Sequence, residues 1–338
     1  MMNSFKQITS IFSFFLFCTM IIIGCGTTDP ENDKWEWMSF TDFGRIPHWS
    51  PDGSCILFGD DRLGDPQSDT ASTASHLWIW TPGEDPIPLT DSLPPHNWDY
   101  HWSPDGEKIG FTSPGEAGAP DAGIWIVDIS DGSKTKLFDR GKDLSWNFDG
   151  SAIAVRVDQP RIGSPGIYLI YFETDEQEFI ADGFHPVCSP LEPSIVFSER
   201  EISGRLFIVN AEHTQIELPC TGAFTWSWSA DGYSIFSSVN NYTMGVFEWN
   251  ILKIVLNNDE WQAMKLATWA ANPAPDRTGS RFAFQRISGS SYSGLWLNTS
   301  KGNERIADYG YNPEFSPTAD RIAVNASNGG IRILERKL

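Results

Sequence analysis

This sequence predicts an all-β chain folded as a single β-propeller, and three observations carry the prediction. A Trp-Ser-Pro-Asp-Gly turn recurs along the chain. Its copies fall at the period of a four-stranded blade. Each copy sits among short apolar strands, and no helical period competes with them after residue 35.

The repeat is clearest at Trp49-Ser50-Pro51-Asp52-Gly53 and Trp102-Ser103-Pro104-Asp105-Gly106. It decays through Trp146-Asn147-Phe148-Asp149-Gly150 and Trp228-Ser229-Ala230-Asp231-Gly232. Weaker copies fill the gaps at Cys188-Ser189-Pro190, at Pro275 with Gly279, and at Phe315-Ser316-Pro317. The seven Trp-equivalent positions are separated by 53, 44, 42, 40, 47 and 40 residues, against roughly 40–45 for a blade. Seven four-stranded blades are predicted, with six the alternative count.

Within a copy, one strand ends at the Trp and a turn leads to a second, such as Ile56-Leu57-Phe58. A third follows, such as Leu77-Trp78-Ile79-Trp80, and then a short fourth, such as Pro88-Leu89-Thr90. Pro, Asp and Gly are what a tight turn between strands requires. Asp52, Asp105, Asp149 and Asp231 therefore read as turn residues rather than catalytic carboxylates. The seventh copy stops after its third strand, Ile331 to Glu335, which would leave an open sheet edge. The segment Trp35 to Thr41 is predicted to pair beside it, so that strands from the two ends close the ring.

The Trp-Ser-Pro-Asp-Gly turn, followed by an aliphatic strand and a Leu-Trp-Ile type strand, resembles the WD40-like repeat of the TolB family over residues 35–338. The resemblance implies the propeller fold. TolB itself has six blades and a separate N-terminal domain; seven copies and a short tether stand here. The partner-binding apparatus of TolB is therefore not implied.

Ahead of the repeats, Lys6 precedes an apolar run from Ile8 to Ile23 that ends at Gly24-Cys25. The run is shorter than the roughly 20 residues that span a bilayer, and it reads as a signal peptide over residues 1–24. Ile22-Ile23-Gly24-Cys25 resembles a bacterial lipobox, which implies cleavage before Cys25 and lipidation of its thiol. An uncleaved membrane anchor is the alternative. Residues 25–34 are polar and aperiodic, a flexible tether. The expected location is the bacterial cell envelope, with the domain lipid-anchored to an outer membrane or cell surface and facing periplasm or exterior.

A formal charge of −20 argues against nucleic acid, whose phosphates require a cationic surface. It also leaves the lipid anchor as the expected membrane contact. Cys55, Cys188 and Cys220 are an odd set in the propeller, and unpaired thiols fit it better than a disulfide framework. Cys55 and Cys188 are expected in strands. The propeller is expected to be monomeric.

Side chains alternate along a strand, so counting back from each Trp-equivalent sorts them. Positions zero and minus two are mostly apolar and read as packing between blades. Position minus three is polar in six copies, Asp99, Asp143, His185, Thr225, Asn272 and Asn312, and is broken by Ile46. Position minus one adds His48, His101 and Glu314. In a propeller these gather near the mouth of the central channel. Trp98, Phe184, Phe224 and Tyr311, one place further out, offer stacking faces to a sugar or peptide.

The candidate ligand residues are thus Asp99, Asp143, His185, Asn272, Asn312, His48, His101 and Trp98. They lie on the face opposite the Trp-Ser-Pro-Asp-Gly turns, which also carries long connections at Gly59 to Ser75, Thr112 to Ala122, Arg156 to Pro165 and Gln285 to Ser293. Long connections on a rigid scaffold are where binding concentrates. Asp99, Asp143 and His185 could take a channel cation such as calcium, although no zinc or calcium spacing is met; no other cofactor is indicated. A water-filled polar channel also needs no ligand to explain it.

No Gly-x-Ser-x-Gly elbow, His-Glu-x-x-His, Cys-x-x-Cys, P-loop or dinucleotide fingerprint occurs. The expected function is a non-enzymatic, membrane-tethered binding or scaffold propeller that recognises a protein, peptide or glycan. The alternative is a polysaccharide lyase or hydrolase acting in the channel, with His101 or His185 as general base.

Overall fold

The structure is a computed structural model that describes residues 34–60, 77–90, 99–113, 122–158, 163–243, 246–288, 291–327 and 329–337. The signal segment 1–24, Cys25, nearly all of the tether and Trp98 lie outside the described residues. Within them the chain forms 28 strands in seven antiparallel sheets of four. No described helix is long and apolar enough to cross a membrane.

Blade 1 illustrates the order: Arg45–Trp49 innermost, then Ile56–Gly59, Leu77–Trp80 and a two-residue outer strand, Ile87–Pro88. The second strand of each blade is the most deeply buried. Ala152–Val157 in blade 3 is buried at every position, because both of its faces pack against neighbouring blades and its side chains are nearly all aliphatic. The core accordingly lies in the seams between blades. Ile124 and Ile126 of blade 2 meet Leu144, Trp146, Ile153 and Val155 of blade 3, and Val196, Leu206 and Ile208 of blade 4 meet Ile235 and Ile254 of blade 5.

The ring closes as the sequence predicts. Lys34–Phe40 pairs antiparallel with Ile331–Lys337, from Lys34 opposite Lys337 to Phe40 opposite Arg332. Thr41 fixes the junction, with its amide donating to the Ile331 carbonyl at 2.8 Å and its hydroxyl accepting the Ile331 amide at 3.0 Å. The seventh blade is therefore built from both ends of the domain.

The turn carboxylates behave as turn residues. Asp52 Oδ1 accepts the Ser50 hydroxyl at 2.6 Å, the Ser54 amide at 3.0 Å and the Ser54 hydroxyl at 2.8 Å. Hydrogen bonding from Ser50, then from Ser54, holds its carboxyl below the usual range. The glycine is favoured for two reasons. Gly53 has φ +73°, a conformation that side chains disfavour, and a Cβ there would lie 3.2 Å from Pro317 Cδ in the preceding blade.

Three expectations need correction. Gln285 to Ser293 is largely not a loop: Phe282–Ser288 and Ser291–Thr299 form a hairpin whose pairing runs on to Ser288 opposite Ser291. Cys55 precedes the strand that begins at Ile56, and it is half-buried, whereas Cys188 and Cys220 are buried. The short fourth strand of blade 1 is Ile87–Pro88, earlier than Pro88 to Thr90. All three cysteines are unpaired.

Candidate functional site: the two ends of the central channel

The Trp of the repeat joins one blade to the next. Its ring packs in the seam while its indole N–H donates to the carbonyl at position minus one of the preceding blade: Trp102 to His48 O at 3.1 Å, Trp146 to His101 O at 3.1 Å, and Trp228 to Val187 O at 3.2 Å. Trp49 does the same across the ring closure, to Glu314 O at 3.2 Å. Cys188 Sγ makes the weaker equivalent to Ser145 O at 3.7 Å. These bonds hold the minus-one backbone of the innermost strands in place and so position His48, His101 and Glu314.

Position minus three has a backbone reason for its polarity. Asp143, His185, Asn272 and Asn312 have φ of 57°, 50°, 52° and 48°, and the strand registers break there. Asn, Asp and His tolerate this left-handed conformation better than other side chains. Ile46, the apolar exception, adopts it at φ 52°, and a β-branched residue there stores roughly 1–2 kcal/mol of strain. Its amide donates to Asn325 Oδ1 at 2.8 Å. A recurring bulge thus selects the residue types that the sequence presents as a ring.

The side chains form three groups rather than one ring. In the first, His48 Nδ1 is 2.7 Å from Glu314 Oε2, the His48 and His101 rings are 5.1 Å apart, and His101 Nε2 is 3.3 Å from Asp99 Oδ1. Glu314 Oε1 also accepts the Trp49 amide at 2.8 Å, and Asp99 Oδ2 accepts the Leu144 amide at 2.7 Å. Burial works to lower the pKa of His48, but the adjacent Glu314 carboxylate outweighs it and raises the value above the ordinary histidine range.

In the second group, His185 Nδ1 is 2.9 Å from Asp143 Oδ2, and Nε2 is 3.0 Å from Glu201 O. The hydrogen bond to Asp143 raises the His185 pKa against opposing burial. In the third, the Asn272 side-chain amide bonds both Gln285 Oε1 and Asn312 Oδ1, the latter at 3.3 Å, and buried Gln285 donates to Gly310 O at 3.1 Å. Among the described residues no group of three His, Cys, Asp or Glu could hold a metal ion. Gln285 completes the third group without having been singled out, and Glu314, noted only as a minus-one residue, completes the first; the pattern of one strand does not show which residues meet across a seam.

The two ends of the channel differ. At the turn end lies a cavity of about 730 Å³. His48, His101 and Glu314 line it, and so does the second residue of every turn; His48 and His101 therefore face the turn end of the channel, not the opposite face expected for them, because side chains alternate along the innermost strands. At the opposite end, blade 6 has second and third strands of 7 and 9 residues, and blade 5 goes further. Its second and third strands, Ser234–Thr243 and Val246–Asn257, run 10 and 12 residues, where those of blades 1 to 4 run 4 to 6. Pairing with the innermost strand ends at Ala223 opposite Val239, with the Asn240 amide still donating to the Gly222 carbonyl at 2.9 Å, so Asn241–Thr243 and Val246–Glu248 project as a two-stranded arm. Phe224 packs on Trp249 at 4.8 Å between centroids, and Phe224 and Trp269 stay exposed at the base of the arm. Of the other aromatic candidates, Phe184 is covered by the Arg156 guanidinium at 4.0 Å. The remaining long connections fall mostly on residues outside the described ones.

No protein-family model matches the chain, and no curated protein matches it in sequence. Solved structures do. An oligogalacturonate lyase from Vibrio parahaemolyticus shares 14% identity at TM-score 0.68, covering 90% of this chain and 97% of its own. An oligogalacturonate lyase in complex with manganese shares 13% at TM-score 0.67, covering 90% and 96%. TolB from Acinetobacter baumannii shares 16% at TM-score 0.50, covering 88% of this chain and 65% of its own. At these identities the likeness is one of fold, and the fold they share with this chain is the β-propeller.

Proposed function

We propose that this chain is a non-enzymatic binding propeller, tethered through a lipid on Cys25 in the bacterial envelope, that takes a protein, peptide or glycan on the face opposite the repeat turns. The observation that carries the reading is the projecting arm of blade 5, with exposed Phe224 and Trp269 at its base. The two-stranded arm stands beside the channel mouth, and the exposed aromatic side chains at its base suit a chain laid across that mouth. Asp99, Asp143, His185, Asn272 and Asn312 would supply polar contacts from the innermost strands. The absence of a short catalytic motif agrees with this reading.

The test is capture from a defined panel of envelope proteins, peptides and glycans by the immobilised domain. A panel member retained by the wild type should be lost with Phe224→Ala/Trp269→Ala and weakened with Asp99→Ala/Asp143→Ala/His185→Ala at unchanged melting temperature. Undiminished capture by both variants rejects this face.

The fold shared with two oligogalacturonate lyases supports a second reading, polysaccharide cleavage in the channel with His101 or His185 as base. The described residues offer no three-ligand set of the kind a manganese ion takes, so any such chemistry here would rest on the histidines themselves. Incubation with acidic and neutral polysaccharides, with and without divalent metal, decides it; no new reducing end or unsaturated product across the panel rejects cleavage.

A further inference from the structure

The cavity at the turn end of the channel is walled at its rim by the second residue of each of the seven turns. Six are apolar: Pro51, Pro104, Phe148, Pro190, Ala230 and Pro317. The seventh is Arg277. Blade 6 departs from the repeat here, with Pro275-Asp276-Arg277-Thr278-Gly279, so its carboxylate stands at the first turn position, not the third. Asp276 is buried and saturated, bonding Arg281 Nε at 3.0 Å and the amides of Thr278 and Ser280 at 3.2 and 3.1 Å. It is therefore spent within its own turn. Arg277 is exposed and makes no ion pair among the described residues.

The remaining charge on the cavity wall is balanced. The other titratable side chains that line it are His48, His101, Glu314 and the buried Cys188 thiol, which burial keeps protonated. Glu314 is bound by His48 and by the Trp49 amide. The turn aspartates, the commonest acidic residues near this face in sequence, fold back onto their own turns at Asp52 and Asp105. Among the described residues, a chain with 44 acidic residues thus shows a single carboxylate to this cavity, already paired, and one guanidinium that is not. A guanidinium presents parallel N–H donors matched to a carboxylate, and the apolar turn residues, with the half-buried Trp102 ring, give the body of a ligand an apolar surface beside it.

We propose that the turn-end cavity binds a carboxylate-bearing ligand, whose carboxylate pairs with Arg277 and whose body lies against the apolar turn residues and the Trp102 ring. This site is at the opposite end of the channel from the arm of blade 5, so it stands or falls apart from the binding face proposed above; His101, a base in the second reading, lines the same cavity. Two kinds of molecule carry such a group at this size, the free C-terminus of a peptide and an acidic sugar.

The experiment uses four probes: an acetylated tripeptide with a free carboxylate, the same peptide amidated, glucuronate and glucose. Binding is followed through the indole N–H resonances of Trp102 and Trp146. At least one of the two carboxylate probes should shift them, and its uncharged counterpart should not; which one responds identifies the source. Arg277→Gln should weaken that binding about tenfold, the loss of one charge-assisted pair, and Arg277→Lys should recover part of it. Phe224→Ala should leave it unchanged. Silence from both carboxylate probes, equal response to the uncharged counterparts, or equal binding by Arg277→Gln overturns the proposal.

Discussion

Replacing Glu314 by Gln should destabilise the propeller at mildly acidic pH and leave it nearly unaffected at alkaline pH. Glu314 sits where blade 7 meets blade 1. One carboxylate oxygen takes the Trp49 amide at 2.8 Å and the other takes His48 Nδ1 at 2.7 Å. Gln keeps the oxygen for the Trp49 amide but turns an NH2 toward His48, which suits neutral imidazole and repels imidazolium. The His48 pKa is raised in the folded state despite burial. The stability it contributes is therefore fully present below the unfolded value near 6.5 and is lost as pH rises through the higher folded value.

A hydrogen bond to a charged group contributes about 1.5–3 kcal/mol, so Glu314→Gln should cost about that near pH 5.5 and well under 1 kcal/mol near pH 9. Asp99 also faces His48 and adds to the raise, while the His101 ring lies 5.1 Å away. Denaturant unfolding of wild type and variant at the two pH values, with the His48 ring titrated by NMR, measures both quantities. An equal loss at both pH values, or an unmoved His48 titration in the variant, would refute the argument.

Three further outcomes follow from the seams and the closure. Trp102→Phe or Trp146→Phe keeps a ring in the seam but deletes the bond to the preceding blade, and each should cost about 1 kcal/mol by urea unfolding; Trp146→Ala, which also empties the seam, should cost about 3–5 kcal/mol. Deleting residues 34–40 leaves Ile331–Lys337 as an unpaired edge, so the melting temperature should fall and light scattering should detect self-association; a truncated chain that melts as the full one does counts against ring closure. Burial pushes the Cys188 thiol up to about 12 and the Cys220 thiol to about 11, so at pH 8 an alkylating agent should label Cys55 ahead of both. Peptide mapping after denaturation without reductant should then find all three labelled.

The repeat was legible because turn chemistry is local. The hydrogen bonds of Asp52 and Gly53 reach only residues within three positions of themselves, and so the spacing of such turns gave the blade count and the need for a strand from residues 35–41. The arm of blade 5 was less legible. Ser234–Thr243 and Val246–Asn257 alternate like any strand pair, and nothing local says where the innermost strand stops pairing with them. Gln285 to Ser293 misled for the same reason: its Ser and Gly residues read as a connection, while pairing across a hairpin keeps most of it extended.

The candidate site divides along the same line. Sequence alone determined the fold, the closing strand and which residues stand on the innermost strands, and favoured seven blades over six, since each depends on periodicity and on contacts close in the chain; the seven sheets of the structure settled the count. Tertiary structure decided which of them meet. His48 and Glu314 are 266 residues apart and Asn272 and Asn312 are 40 apart, brought together by closure of the ring and by the seams. The polar ring expected at position minus three owes its residue types to a left-handed bulge, a backbone fact that the one-letter pattern shows only as polarity. Arg277 gains its meaning from six apolar neighbours contributed by six other blades, because charge balance in a cavity is a property of the assembled wall.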